Sequence, residues 1–329
     1  MNNISYSIVI RTLGTGGSKY QKLLDSIKSQ SLQPKHLLVV IADGYQLPPE
    51  QLGTEEFVYT RKGMWHQRVY GLEYAAKLGD SDYIFAVDDD ISFAPDFAEK
   101  SLKWMANNEC DVLAPDLALV KTMPMFSPRN ILYGLLGIRI ENHFQHWRVK
   151  IMNTGGFMAN TKVNGDAMPT QSAQFAALWI KADSVGVLRL QDEYWLEGTK
   201  YALPDDQVFF YKCHLMGLKQ YMHEKYTVVH LDHGSSDPNR IVLCNYADGR
   251  NFLIFWHRFL FLPSNNSMKR IWLMIAHAYR VAMHTLFLMA RGVIKKDFKP
   301  LQAYVNGVKD ALRYIKTDEY KKLQRISAQ

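Results

Sequence analysis

Cysteine is scarce in this chain. Three thiols, Cys110, Cys213 and Cys244, stand far apart in 329 residues. None of the spacings that build a zinc site or a disulfide framework is present, so buried free thiols in a reducing compartment are expected. The opening residues Met1-Asn2-Asn3-Ile4 lack the basic stretch, apolar core and cleavage pattern of a secretory signal, and a cytoplasmic location is expected. Internal repeats and low-complexity segments are also missing. Gly14-Thr15-Gly16-Gly17 runs into Ser18-Lys19 without the Gly-Lys-Ser/Thr ending of a phosphate loop, and it reads as a flexible turn.

What is present is a large apolar share, 47% hydrophobic, enough for one large domain or two modest ones. The net charge of +7 is unevenly placed. Between Arg250 and Gln329, 15 Lys or Arg stand against four acids, a net of +11, which leaves −4 for residues 1–249. This shift places a boundary near residue 245 and predicts a basic, mainly helical extension over 246–329.

The first half alternates apolar runs with helical spacing. Ser7-Ile8-Val9-Ile10, His36–Ala42, Phe57–Tyr59, Tyr83–Val87 and Cys110–Ala114 read as strands. Leu23, Leu24 and Ile27, then Val69, Leu72, Ala75 and Ala76, mark helices between them. Strand, helix, strand in this order predicts parallel crossovers and an α/β sheet. Farther on, Met152–Phe157 and Phe175–Ile180 are candidate strands, and Pro204-Asp205-Asp206 precedes a helix from Gln207 to Met216. As a bland reading, the two acids are that helix's N-terminal cap.

Asp88-Asp89-Asp90, at the end of the run Tyr83–Val87, is the most informative feature. Two unit charges about 4 Å apart repel by roughly 1 kcal/mol in water and about 4 kcal/mol at an effective dielectric of 20. No basic residue lies in Ser81–Phe97, so a hard divalent ion such as Mg²⁺ or Mn²⁺ is the better candidate to offset the repulsion. The competing reading makes Asp90 or Ser92 the cap of a helix starting near Pro95. Ligands in open α/β sheets sit outside the carboxyl ends of strands. Arg11, Asp43 and Asp88–Asp90 all fall there, which favours the functional reading.

Six fragments in order then resemble the family 2 glycosyltransferases of GT-A fold, of the inverting type found in bacterial cell-surface polysaccharide synthesis. They are Val9-Ile10-Arg11-Thr12, Ser26-Ile27-Lys28-Ser29-Gln30, Ala42-Asp43-Gly44, Gln67-Arg68-Val69-Tyr70-Gly71, Val87-Asp88-Asp89-Asp90, and Asp205-Asp206-Gln207-Val208-Phe209 with Lys212 and Gly217. The resemblance covers about 5–220. It implies a Rossmann-like, mostly parallel mixed sheet flanked by helices, with a nucleotide-binding half at about 1–115 and an acceptor-binding half at about 116–245.

By resemblance, Arg11 and Thr12 line the donor site, and Asp43 and Arg68 hold a nucleotide base. Asp88 and Asp89 face the ribose and diphosphate, and Asp90, with Asp88, binds Mn²⁺ or Mg²⁺. Asp206 matches the general base that takes a proton from the acceptor hydroxyl, beside Asp205 where the family has Glu. Val69 stands where the family has Asn. Within His230-Leu231-Asp232-His233-Gly234, His233 is favoured as a further metal ligand because Gly234 allows close backbone approach, with His230 next. The implied partners are a UDP- or dTDP-sugar and a glycan or lipid-linked acceptor.

In the extension, Arg270, His277, Arg280, His284 and Arg291 are spaced 7, 3, 4 and 7 along an apolar helix, which aligns them on one face. A transmembrane span fits poorly, because Arg280 at its centre would cost roughly 2.5–3.5 kcal/mol. A helix lying in the interface is expected, apolar side down and basic stripe toward anionic headgroups, holding the enzyme to the inner face of the cell membrane. The alternative is a helix packed on the catalytic domain or in a homo-oligomer. Two other functions compete. A sugar-phosphate nucleotidyltransferase needs a basic Gly-rich loop after the first strand, and Gly14–Gly17 lacks its Arg. A basic nucleic-acid-binding protein needs a stacking groove, which an aliphatic helix does not supply, so no nucleic acid is expected.

Overall fold

Alternation along the first strands decides how the sheet is covered. A computed structural model of the chain describes residues 4–117, 124–142, 146–161, 165–231 and 237–326. In β1 (Tyr6–Thr12) and β2 (His36–Ala42), Ile8, Ile10, Leu37, Val39 and Ile41 join one buried cluster, while Val9, Leu38 and Val40 join another on the opposite face. Both faces of the sheet are therefore apolar, and helices cover both, as in other mostly parallel sheets. The first face packs on α1 (Ser18–Lys28), and the second on α2 (Met64–Leu78). Gly71 lets α2 sit close, since a Cβ there would lie 2.4 Å from the Val9 side chain.

β1 lies between β2 and β4 (Tyr83–Asp88), parallel to both, and β3 (Glu55–Thr60) extends the sheet beyond β2. After β5 (Ile91–Phe93) and α3 (Phe97–Asn107), β6 (Val112–Leu117) enters on the far side of β4. Next come α4 (Pro128–Leu135), β7 (Arg139–Asn142), β8 (Val149–Ile151), β9 (Phe157–Asn160), β10 (Ala167–Pro169), β11 (Ala177–Lys181) and α5 (Ala182–Leu188). The chain then continues through α6 (Asp205–Leu215), β12 (Gln220–His230), α7 (Arg240–Trp256), α8 (Ser267–Lys295), α9 (Lys299–Tyr314) and α10 (Asp318–Lys322). β11 runs antiparallel between β4 and β6, giving the order β10-β12-β6-β11-β4-β1-β2-β3, with β5 also paired to β12. A small second sheet has the order β7-β9-β8.

Two local expectations change. Of the expected strand Met152–Phe157, all but Phe157 is a tight turn between β8 and β9, closed by the Met152 amide donating to the Gly156 carbonyl at 2.8 Å. The helix after the acidic triplet starts at Phe97, with Asp96 preceding it, so neither Asp90 nor Ser92 caps it.

The boundary near residue 245 falls inside α7. Leu253, Ile254, Phe255 and Phe259 belong to the same buried cluster as Val9 and Leu38, so the C-terminal helices complete the core of the sheet domain. At the crossing of α7 and α9, Gly249 leaves room for the backbone at Tyr304, where a Cβ would meet the carbonyl at 2.3 Å.

The basic stripe on α8 also corrects an expectation. His277, Arg280 and His284 are buried against the protein, and the apolar side of the helix faces outward. Arg280 pairs with Asp248 of α7 at 3.2 Å. His277 stacks on Trp256 and His284 on Tyr304. Burial pushes His277 down to about 3 and His284 below its ordinary value, so both rings are neutral packing groups at physiological pH. The stripe attaches the helix to the body of the protein.

A buried ion cluster that periodicity did not predict ties α6 to the end of α7. Glu193 accepts two hydrogen bonds from Arg258, at 2.8 and 2.9 Å, and one from Lys212 at 2.6 Å. Lys212, matched to a family position by resemblance, is thus committed to this cluster. Burial disfavours a charged Glu193, but Lys212 and Arg258 outweigh it and lower its pKa. Replacing Glu193 by Ala strands two buried cations and should lower the free energy of unfolding by about 3–5 kcal/mol. Denaturant titration measures this, and a loss under about 1 kcal/mol would show that the cluster does not hold the C-terminal helices in place.

Candidate active site

The carboxyl ends of β1 and β4 carry the densest charge. Arg11 and Asp88 are register partners across this strand pair. The Arg11 guanidinium lies 2.9 Å from Asp88, and Arg68, one turn into α2, lies 3.2 Å from it. Arg68 also pairs with Asp205 at the start of α6, and its guanidinium rests 4.4 Å from the centre of the Phe175 ring. The backbone N–H of Phe175 donates to Asp206 at 2.8 Å. A continuous polar path therefore runs Arg11–Asp88–Arg68–Asp205, with Asp206 beside its far end.

The charges on Asp88 are offset by two arginines distant in sequence. Asp88, expected as a second metal ligand, is clamped by Arg11 and Arg68. Burial works against its ionisation, but the two guanidinium groups outweigh burial and lower its pKa. Asp89 accepts a hydrogen bond from the Thr12 hydroxyl at 2.6 Å, and burial raises its pKa. Arg68 was expected at a nucleotide base. It is buried and held between two carboxylates, and Val69 next to it is core.

Asp90 has a different neighbour. Pairing of β5 with β12 sets Ile91 opposite His230, which brings His230 Nε2 to 3.1 Å from an Asp90 oxygen. A carboxylate and an imidazole side by side suit a divalent ion that takes its remaining ligands from substrate phosphates. Among the described residues no group of three or more His, Cys, Asp or Glu forms a fuller cage. His233 lies outside the described residues. Asp43 is exposed at the end of β2, where its N–H donates to the Thr60 carbonyl.

The two acids of α6 divide sharply. Asp205 is buried against Arg68, and Asp206 is half-buried. Neither side chain caps the helix N-terminus. Burial pushes Asp205 up against the pull of Arg68. Burial and then the charge on Asp205 push Asp206 up to about 8. Both acids line a cavity of about 270 Å³ whose walls include Phe157, Met222 and Phe252, with Arg139 and Arg148 at its polar side. These wall residues were not predicted, because they come from β7, β8, β9, β12 and α7 and share no sequence spacing.

No protein-family model and no curated protein sequence matches the chain. Among solved structures, the chain is similar to the crystal structure of GalNAc-T7 with UDP, GalNAc and Mn²⁺, with a TM-score of 0.52 at 11% identity over 90% of this chain and 59% of that one. It is also similar to S. aureus TarS, with a TM-score of 0.48 at 11% identity over 97% of this chain and 50% of that one. The chain therefore spans little more than half the length of these proteins. The fold is that of GT-A glycosyltransferases, a mixed sheet flanked by helices, with a helical C-terminal region.

The raised pKa of Asp206 makes stability depend on pH. A carboxyl that holds its proton more tightly when folded stabilises the protein fully below the ordinary carboxylate value. That contribution is lost as pH rises through the folded value of about 8. Thermal unfolding between about pH 5 and pH 8 should thus fall more steeply for the native protein than for Asp206→Asn. Parallel curves would mean that Asp206 is ionised throughout.

Proposed function

We propose that the protein is an inverting, metal-dependent glycosyltransferase that moves a sugar from a nucleotide-diphosphate donor to a hydroxyl of a glycan or lipid-linked acceptor. The observation that carries this reading is the half-buried Asp206 carboxyl, which makes no ion pair among the described residues, beside a largely apolar cavity on a GT-A sheet. Asp206 takes the acceptor proton as the hydroxyl attacks the anomeric carbon. The aromatic walls from Phe157 and Phe252 offer flat faces to a sugar ring or an apolar acceptor portion.

Asp90 and His230 would hold Mn²⁺ or Mg²⁺, which supplies charge neutralisation for a departing diphosphate. Asp43 at the rim accepts from the N3–H of uracil or thymine, which favours a UDP- or dTDP-sugar. The UDP and Mn²⁺ in the GalNAc-T7 structure support this choice. Arg68 contributes as a positioning residue, holding Asp88 and Asp205 in register.

Asp206→Asn should lower transfer by about 10²–10⁴-fold, the usual worth of a general base, and leave metal-dependent UDP affinity intact. Turnover of a panel of nucleotide sugars together with calorimetry separates the two effects, and undiminished transfer would remove Asp206 from the chemistry. Asp90→Ala should abolish the Mn²⁺-dependent part of UDP binding. Unchanged UDP–Mn²⁺ affinity in that variant would place the ion elsewhere.

A further inference from the structure

α8 joins the protein along one stripe and leaves the rest of its surface bare. Leu273, His277, Arg280, His284, Leu288 and Gly292 recur at helical spacing and are buried. On the outer side, Ile271, Trp272, Ile275, Leu286, Met289 and Val293 are each 46–64% exposed. Between Arg270 and Arg291 the sole charged residue is Arg280, and it is turned inward. From Ile271 to Val293 the helix presents an apolar strip roughly 33 Å long. An exposed apolar surface of this extent marks an interaction site.

The strip broadens at α4. Tyr279 donates its hydroxyl to the Leu135 carbonyl at 2.7 Å, which sets α4 beside α8. Phe126, just before α4, is 80% exposed, and Ile131 and Leu135 are each 53% exposed. The ends of the strip are cationic. Lys269 lies at one end, and Lys295, Lys296 and Lys299 are exposed at the other. No acid occurs in the sequence between Asp248 and Asp297.

We propose that the outer face of α8, with α4, seats the protein on an anionic lipid bilayer, its apolar side chains inserted shallowly and the terminal lysines among the headgroups. Apolar insertion combined with attraction to anionic lipid is how interfacial helices bind. A second copy is the poorer occupant, because pairing two such faces would bring like-charged ends together. A span across the membrane, which the length and apolarity of α8 alone would allow, would tear the Arg280–Asp248 pair and the His277 and His284 stacks from the body of the protein.

The seat also bears on the acceptor. The Arg280 guanidinium on the inner side of α8 lies 4.3 Å from the centre of the Phe252 ring, and Phe252 lines the cavity beside Asp206. The inner face of the docked helix thus touches a wall residue of the cavity beside Asp206. A lipid-linked acceptor follows from this placement only if the transferase reading holds, whereas the membrane seat stands without it.

Flotation of the full-length protein with vesicles tests the seat with neither donor nor acceptor present. The native protein should float with phosphatidylcholine vesicles containing about a third phosphatidylglycerol, and less with phosphatidylcholine alone. Combining Ile271→Asn, Trp272→Ser and Ile275→Asn should lower the partition coefficient by about tenfold or more, with the melting temperature unchanged because these side chains are exposed. Lys295→Glu with Lys296→Glu, a milder change far from the core, should weaken flotation at low salt and matter less at high salt. Native protein that stays with the soluble fraction, or variants that float as well as it does, would overturn the proposal. So would light scattering that shows a native dimer split by the triple substitution, which would assign the face to a second copy.

Discussion

One arginine shared between two carboxylates holds this site together. Arg68, from the first turns of α2, reaches Asp88 at the end of β4 and Asp205 at the start of α6. It is buried, and burial works against its charge, but Asp88, Asp205 and Asp206 raise its pKa. Breaking such a pair by removing one partner leaves an uncompensated buried charge. The geometry of three elements therefore depends on that guanidinium, and Phe175 beneath it connects the same point to Asp206 through a backbone hydrogen bond.

This clamp gives two neighbouring acids different roles. Asp205 faces the cation, is buried, and is occupied. Asp206 makes no ion pair among the described residues, keeps part of its side chain open to the cavity, and holds its proton to an unusually high pH. The transferable rule is that paired titratable groups pushed apart by environment reveal acid–base assignments. Two residues along the chain from Asp88, the Asp90–His230 pair forms where β5 meets β12. The proposed base and the proposed metal position are thus joined through a fixed framework.

Much of this was legible in the sequence. The apolar runs of β2 and β4 and the carboxylates at their ends read directly, because strand burial and strand termini are local properties. The acids of α6 and His230 were singled out through order and resemblance, with His233 favoured over His230, and the structure sets Asp205 and Asp206 on the cavity and His230 beside Asp90. What sequence could not show is which distant group answers which charge. No cation lies near the triplet in sequence, so a metal ion looked necessary for Asp88, whereas Arg11 and Arg68 arrive from other elements. The stripe on α8 was visible as a periodicity, but periodicity says which residues share a face and not which way that face turns. Arg280 turns inward because Asp248 and the Phe252 ring await it. The shift in composition near residue 245 likewise marked a change in surface charge, and α7 runs through it with its buried side chains in the common core.

In the proposed reading Asp205 is tied to Arg68 and Asp206 acts as the base on the cavity, with a single displacement as the proposed route. A double displacement would need a second carboxylate as nucleophile. The most direct test is to follow the anomeric configuration of the first-formed product by proton NMR, with the sugar nucleotide that supports turnover as donor. The account predicts a product of configuration opposite to that of the donor. Retention of configuration would contradict it, and would require a second catalytic group that the clamped Asp205 does not supply.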